Sequence, residues 1–299
     1  MGQPLDAGKA FSYGQFVLGA YNMFLNPQGD PLRPAPQGIP DGWELGAWIH
    51  MSDFVLTFEN PEFYGIVCRK IDDPDWRIVA IRGTEGAMEW FDDAAAIPTP
   101  FRQVPQAGRV ASGFDRIYSS LKVVKRRLAE DRGAAPAEVQ PETYAGSFAE
   151  QLDQLATSRE IARKARISVA EPRPKRPMIV TGHSLGAALA TLFVMENDSK
   201  HKFDITTACT FASPRVGNLE FARAFDQLPI DSWRIVNKRD VVPKLPPNIP
   251  LVLEYDHVDI ACEFDSLTFA GKSLVCRHAM ETYLHWLDAK CQVRPECRI

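Results

Sequence analysis

The sequence predicts an α/β fold with a mainly parallel central sheet that is covered by helices on both faces. Two observations support this prediction: after residue 177, short apolar strand-like segments alternate with helical segments, and the links between them are short. Repeated strand-then-helix units make parallel neighbours, because each helix crosses back over the sheet. The composition is ordinary for a globular chain, with 45% hydrophobic and 24% charged residues. We therefore expect one domain that spans residues 1–299.

The individual elements follow from hydrophobic periodicity and turn residues. Residues 10–25 and 112–130 predict helices, the second because apolar residues recur every three or four positions. Residues 62–71 and 75–83 predict two strands, joined by the turn Asp72-Asp73-Pro74-Asp75. The alternating part comprises predicted strands at 178–182, 203–211 and 233–237, and predicted helices at 185–197, 218–227 and 277–290.

An inserted segment at about 129–176, rich in Ala, Glu, Arg and Pro, interrupts this pattern. The stretch "SFAEQLDQLATSREIARKARI" within it predicts one helix. Residues 159–176 carry seven Lys or Arg against two Glu. Such a bias is typical of a solvated helix and linker, and contact with an anionic interface is the alternative.

Charge and hydropathy exclude several classes of protein. The formal net charge is −4, so the basic excess of a nucleic-acid-binding protein is missing. The sequence contains no run of 18 or more apolar residues, so no membrane-spanning helix is predicted. The first residues lack a basic start and a cleavage site, so no signal peptide is predicted. The chain as written is expected in the cytoplasm, or outside the cell if it is a processed form.

Six cysteines are too few for a disulfide framework in a chain of 299 residues. Cys68 and Cys209 lie in apolar strand-like runs and are expected to be buried thiols. The other four lie near the C-terminus, where one or two disulfides are possible: Cys262, Cys276, Cys291 and Cys297.

The stretch "MIVTGHSLGAALATLF" (178–193) is the strongest chemical signal in the sequence. Gly-x-Ser-x-Gly between a strand and a helix is typical of a nucleophile held at a sharp turn. Gly182 and Gly186 lack the Cβ atoms that would collide where the chain doubles back. Ser184 is therefore the candidate nucleophile, and the adjacent helix N-terminus favours negative charge.

A serine nucleophile needs a histidine base and a carboxylate that orients the base. Asp240 follows the predicted strand that ends near Val236, which is where such an acid is expected. Four histidines lie downstream of Ser184 as possible bases: His201, His257, His278 and His285.

Five motifs follow one another along the chain: "AIRGTEGAMEWFDD", "GHSLGAALA", "TFASPRVGN", "NKRDVVPKLPP" and "HAMETYLHWL". Together, in this order, they resemble the class 3 lipases, the fungal-type triacylglycerol lipases and their relatives. The resemblance covers roughly residues 60–290 apart from the insert, and it implies an α/β-hydrolase fold. Ala187 and Ala212 stand where the family more often has glycine, and neither position belongs to the implied triad.

The resemblance implies a set of site residues. Ser184 is similar to the family's nucleophile, Asp240 to its acid and His278 to its base, whereas His257 resembles a separate structural segment. Thr84 and the backbone N–H of Leu185 would form the oxyanion hole. Asp93 would orient the Thr84 hydroxyl, with Asp92 as its competitor.

Residues 86–97 resemble the family's lid. Apolar side chains recur there at helical spacing, opposite three acidic residues, and the apolar ones include Trp90, Phe91 and Ile97. A helix of this kind covers a hydrophobic cleft in water and turns its apolar face toward a lipid surface. Ordinary core packing is the alternative interpretation.

These features together predict carboxylic-ester hydrolysis through an acyl-enzyme, with triacylglycerols as the favoured substrates and transient contact with a lipid–water interface. Phospholipase A1 activity and feruloyl-esterase-like activity on smaller or aromatic esters are the nearest alternatives. A catalytically silent relative that binds partners is a further alternative. No cofactor or metal is predicted, because the triad needs none.

Overall fold

A computed structural model of the chain describes residues 4–25, 34–51, 62–84, 96–125, 143–164, 176–249 and 254–299. Its strands are β1 Trp43–Met51, β2 Glu62–Lys70, β3 Arg77–Ile81, β4 Pro98–Pro100, β5 Arg109–Ala111, β6 Lys122–Lys125, β7 Pro177–His183, β8 Asp204–Phe211, β9 Asp231–Asn237 and β10 Ala261–Phe264. Its helices are α1 Ala7–Leu25, α2 Ser112–Ser120, α3 Phe148–Lys164, α4 Leu185–Lys200, α5 Leu219–Asp226, α6 Leu274–His278 and α7 Met280–Leu287. None of the helices in these ranges is long and apolar enough to cross a membrane.

Eight of the described strands form one sheet, in the order β10-β9-β8-β7-β3-β2-β1-β6. The five strands from β10 to β3 are parallel to one another. The remaining three continue the sheet in antiparallel pairs. The predicted fold class is therefore confirmed, with an antiparallel extension at one side.

The two faces of the sheet bury two separate apolar clusters. In β3, Val79 and Ile81 point into the cluster under α2, α3 and α4, while Ile78 and Ala80 point into the cluster under α1 and α7. This alternation follows from the period of two in a strand. Helices on both faces bury β3 fully and most of β7, β8 and β9, as the apolar composition of these strands predicts. The edge strand β10 is only partly buried.

The predicted helix at 112–130 is wrong beyond Ser120. Leu121 has extended backbone (ψ 133°), and Lys122–Lys125 then pair antiparallel with β1 as strand β6. Val123 and Val124 are β-branched and favour a strand, and their apolar spacing imitates that of a helix. Residues 126–130 lie outside the described residues.

The predicted helix at 277–290 is divided in two and ends earlier. Ala279 has extended backbone (φ −58°, ψ 135°) between α6 and α7. Apolar spacing continues across this break, so periodicity alone does not reveal it. The break places His278 at the end of one helix, beside the carboxyl edge of the sheet. Strands β1 and β10 are not predicted by the sequence.

The predicted helix of the insert is confirmed as α3, and it packs on the core. Phe148 at its start contacts Phe193 of α4, with ring centroids 5.1 Å apart. Glu196 of α4 is fully buried, accepts a hydrogen bond from the Tyr118 hydroxyl and pairs with Lys200 at 3.0 Å. This buried cluster ties α2 and α4 together beneath α3. The side chains of 158–164 and residues 165–175 lie outside the described part of the insert.

Among the four C-terminal cysteines, Cys276 and Cys297 form a disulfide. Cys262 and Cys291 are free, half-buried thiols, and Cys68 and Cys209 are buried thiols as predicted. The disulfide joins the segment that carries His278 to the end of the described chain.

We expect the free energy of unfolding to fall as the pH drops below about 6.5. Burial lowers the pKa of His50 to about 4 and that of His257 to about 3, the latter with help from Arg234. Since the folded pKa values lie below the unfolded one, the unfolded chain binds more protons in this range. Each histidine then costs up to about 1.4 kcal/mol per pH unit.

Urea unfolding at pH 7 and pH 5 measures this loss. In His50→Leu the difference between the two pH values should shrink by the contribution of one histidine. Equal stability of the parent protein at both pH values would contradict the assignment of buried, neutral histidines.

Candidate active site

Ser184 lies at a sharp turn between β7 and α4. Its backbone has φ 56° and ψ −126°, a region that non-glycine residues rarely adopt and that is typical of functional sites. A Cβ on Gly182 would collide with the Gly186 backbone, and one on Gly186 would collide with the Ile81 carbonyl. The Ser184 N–H donates to the Phe211 carbonyl at 3.0 Å, which ties the turn to β8.

The structure brings Ser184, His278 and Asp240 into one hydrogen-bonded chain. The His278 Nε2 lies 2.9 Å from Ser184 Oγ, and its Nδ1 lies 2.7 Å from Asp240 Oδ2. The carboxylate accepts the Nδ1–H, so the unprotonated Nε2 faces the serine hydroxyl. Each residue comes from the carboxyl edge of the sheet or from the loops above it, where parallel α/β sheets bind ligands.

The Asp240 carboxylate is buried and held by two further donors. The Tyr283 hydroxyl donates to Oδ2 at 2.7 Å, and the Val242 N–H donates to Oδ1 at 3.0 Å. Burial and the neighbouring Asp240 raise the pKa of Tyr283 well above its usual range, so the phenol stays protonated and remains a donor. These bonds fix the orientation of the carboxylate toward His278.

Thr84 and Leu185 are the predicted oxyanion-hole residues. Leu185 is the first residue of α4, so its N–H has no acceptor within the helix. Thr84 Oγ1 is buried and, among the described residues, has no hydrogen-bond partner. Thr84 and His278 line the same cavity, which has a volume of about 230 Å³.

Several predicted residues cannot be placed against this geometry. Asp93, Asp92, Trp90 and Phe91 lie outside the described residues, and so does most of the predicted lid. Ile97, at its end, is exposed to 58%.

The other histidines do not reach Ser184. His257 is largely buried beside Arg234 and Arg215, His285 contacts the Cys291 carbonyl at 2.6 Å, and His201 ends α4 in an exposed left-handed conformation. A larger cleft of about 790 Å³ is lined by residues at the amino ends of β8 and β9, on the opposite edge of the sheet, and the triad does not line it.

His183 and Tyr21 connect the segment of Gly83 to the segment of His278 through hydrogen bonds. The sequence does not predict this role of Tyr21. The Gly83 N–H donates to the Tyr21 hydroxyl, which donates to His183 Nδ1; both distances are 2.8 Å. The His183 Nε2–H donates to the His278 carbonyl, also at 2.8 Å. Burial holds the pKa of His183 well below its usual range, so the ring is neutral. This series of hydrogen bonds therefore links the Gly83–Thr84 loop to the loop of His278.

We expect Tyr21→Phe to lower kcat by about 10- to 100-fold, because small displacements of reacting groups are costly. The substitution leaves the Gly83 N–H without its acceptor and His183 without its donor. Steady-state kinetics on a soluble ester, with Tyr13→Phe of the same helix as control, measures the loss. An unchanged kcat in folded Tyr21→Phe would show that the hydrogen bonds of Tyr21 and His183 do not position the site.

Ser184 has no exposed surface, and the His278 side chain is exposed to 18%.

Comparisons with known proteins identify the family of the chain. The sequence model of the class 3 lipases matches residues 78–249, which contain Thr84, Ser184 and Asp240. Among curated proteins, phospholipase A1-II 4 of Oryza sativa subsp. japonica is 30% identical over 227 residues, 70% of this chain and 49% of the relative. The chain spans about half the length of the curated relatives it matches.

Two solved structures are similar in fold. The lipase of Rhizopus microsporus var. chinensis is 20% identical with a TM-score of 0.55, and the match covers 86% of this chain and 74% of that one. A triacylglycerol lipase whose catalytic centre is a serine protease triad is also 20% identical, with a TM-score of 0.53 and coverage of 86% and 79%. At such identities the likeness concerns the fold alone.

Proposed function

The chain belongs to the class 3 lipase family, and we propose that it hydrolyses fatty-acid esters of glycerol through an acyl-enzyme on Ser184. The observation that carries this proposal is the hydrogen-bonded chain from Ser184 Oγ through His278 to Asp240. Such a chain converts a weak nucleophile into an effective one.

In the first half of the reaction, Ser184 Oγ attacks the ester carbonyl while His278 Nε2 takes its proton. The carbonyl oxygen becomes an oxyanion, which accepts hydrogen bonds from the Leu185 N–H and from Thr84. His278 then gives the proton to the glycerol oxygen, the carbon–oxygen bond breaks, and the acyl group stays on Ser184. Asp240 stabilises the imidazolium that forms between these two transfers.

In the second half, a water molecule takes the place of the alcohol. His278 removes a proton from the water, and the resulting hydroxide attacks the acyl carbonyl. The second oxyanion collapses, the bond to Ser184 Oγ breaks, and Oγ regains its proton from His278. The fatty acid leaves, and the triad returns to its starting state without a cofactor.

The acylglycerol substrate is supported by two kinds of relative. The curated relative carries the name phospholipase A1, and a relative in fold is a triacylglycerol lipase. Both kinds of substrate are fatty-acyl esters of glycerol. Triacylglycerol itself, the lid at 86–97 and contact with a lipid–water interface remain predictions. The filled triad disfavours the silent relative, and no residue described here favours an aromatic ester.

Hydrolysis assays on the purified chain test the proposed function. Release of p-nitrophenol from esters ranging from acetate to palmitate would be measured beside fatty-acid release from emulsified acylglycerols. We expect activity on both, with higher rates for medium and long chains. Hydrolysis of acetate and butyrate alone would favour a short-ester esterase, and no hydrolysis of any ester would contradict the proposal.

A further inference from the structure

Among the described residues that line the cavity beside the triad, one cationic side chain has no role in the hydrolytic mechanism. Most of its lining is apolar, including Val241, Leu274 and Val275, but Arg294 is also part of the wall. Thr84 and His278 line the same space of about 230 Å³. A guanidinium therefore shares one small cavity with the base and with the oxyanion residue.

Arg294 is oriented on one side and open on the other. Its Nε donates to Glu281 Oε1 at 2.9 Å, and its side chain is exposed to 29%. Within the described residues, the two Nη groups have no hydrogen-bond partner. The backbone around Arg294 is also held, because Cys297 is joined to Cys276 two residues before His278. A guanidinium donates up to five hydrogen bonds, so the described residues use only a small part of its capacity.

We propose that Arg294 binds the phosphate of a glycerophospholipid whose ester lies at Ser184; this inference rests on the proposed function. Arginine binds phosphate with two parallel N–H···O bonds, which are strengthened by the opposite charges. Glycerol carries the phosphate and the far acyl ester on the two ends of one three-carbon unit. A site for both groups must therefore lie within one small cavity, as Arg294 and His278 do.

A neutral acylglycerol offers Arg294 no such partner. Its hydroxyl and ester oxygens are uncharged acceptors, which bind a guanidinium more weakly than a phosphate does. Arg294 therefore acts as a specificity-determining residue that favours the phospholipid over the diacylglycerol with the same acyl chains. The mechanism at Ser184 is common to both substrates.

The experiment measures kcat/KM for phosphatidylglycerol and for diacylglycerol with identical acyl chains, both in mixed detergent micelles. We expect the ratio of the two values to fall by about 10- to 100-fold in Arg294→Gln, the size of a lost charge-assisted hydrogen bond. Arg294→Lys, which keeps the positive charge but cannot make two parallel N–H···O bonds, should give an intermediate ratio. Arg298→Gln, an exposed arginine on the same tail, controls for general attraction to anionic micelles and should keep the parent ratio.

Circular dichroism and a thiol titration verify that each variant is folded and keeps its disulfide. An unchanged ratio in folded Arg294→Gln, or an equal fall in Arg298→Gln, would overturn the proposal. Inorganic phosphate and free fatty acid are added as competitors in the diacylglycerol assay. One of these anions could inhibit the parent strongly and Arg294→Gln weakly, while the parent shows no preference for the phospholipid. That result would overturn the proposal and assign Arg294 to the binding of that anion.

Failure of this inference is distinguishable from failure of the proposed function. If the parent protein hydrolyses diacylglycerol and the ratio of the two kcat/KM values does not change in Arg294→Gln, the proposed ester hydrolysis holds and the phosphate site is wrong. If the parent protein hydrolyses neither lipid and no soluble ester, both the proposed function and the phosphate site are wrong.

Discussion

Ser184→Ala is expected to lower kcat for ester hydrolysis by about 10⁴-fold or more, since loss of a triad serine removes the covalent route. His278 would then have no hydroxyl to activate, although the oxyanion donors and the bound substrate would remain. Alanine also fits the turn, because Ser184 makes no side-chain cap to α4. The loss should therefore arise from chemistry and not from unfolding.

Steady-state rates on a p-nitrophenyl ester measure this effect. Ser213→Ala is a matched control, since Ser213 is equally buried and its hydroxyl donates to the Pro214 carbonyl at 3.2 Å. Substantial activity in a folded Ser184→Ala variant would mean that another residue supplies the nucleophile.

Asp240→Asn is the second substitution with a large expected effect, a fall in kcat of about 10⁴-fold. Asp240 Oδ2 accepts from both His278 Nδ1 and Tyr283, while Oδ1 accepts from the Val242 N–H. An amide has one oxygen for these three donors. If its nitrogen faces His278, the imidazole takes the other tautomer, and Nε2–H then points at Ser184.

The opposite orientation of the introduced amide does not rescue the site, because its nitrogen would then face the Val242 N–H. Asp265→Asn provides the control: Asp265 lies in an exposed ion pair with Arg239 and outside the triad. We expect the Asp265 variant to keep the parent rate. An Asp240→Asn enzyme within about tenfold of the parent would contradict the role of Asp240 as the orienting acid.

The sequence predicts the parts of the site that follow from local geometry. The turn at Ser184 needs glycines at Gly182 and Gly186, and an acid is expected after β9, where Asp240 lies. His278 is distinguished from His257 only through the family resemblance, because nothing in the local sequence separates a catalytic histidine from a buried one. Distance along the chain hides the contact: 94 residues separate Ser184 from His278.

Other parts of the site depend on tertiary packing and carry no sequence signal. Tyr21 lies in α1, 162 residues before His183, and looks like an ordinary apolar helix residue. Tyr283 and Arg294 likewise gain their roles only when α7 and the C-terminal segment reach the carboxyl edge of the sheet. The break at Ala279 is a further example, since apolar periodicity continues through it.

The errors in secondary structure have the same origin. The sequence predicts strand β6 as the end of a helix because Val124 continues the apolar spacing of α2. Its pairing with β1 is a non-local interaction that outweighs local propensity. Strands β3, β7, β8 and β9 of the parallel part are predicted, since burial on both faces makes them largely apolar runs. The parallel edge strand β10 is only partly buried and is not predicted.

Covalent trapping of the nucleophile tests the central claim most directly. The chain would be incubated with a long-chain alkyl fluorophosphonate, which reacts with activated serines, and the adduct would be located by peptide mass spectrometry. We predict a single adduct on Ser184 that forms slowly in Asp240→Asn and not at all in Ser184→Ala. Labelling of another residue, or equal labelling of the Ser184→Ala protein, would contradict the assignment of Ser184 as the nucleophile.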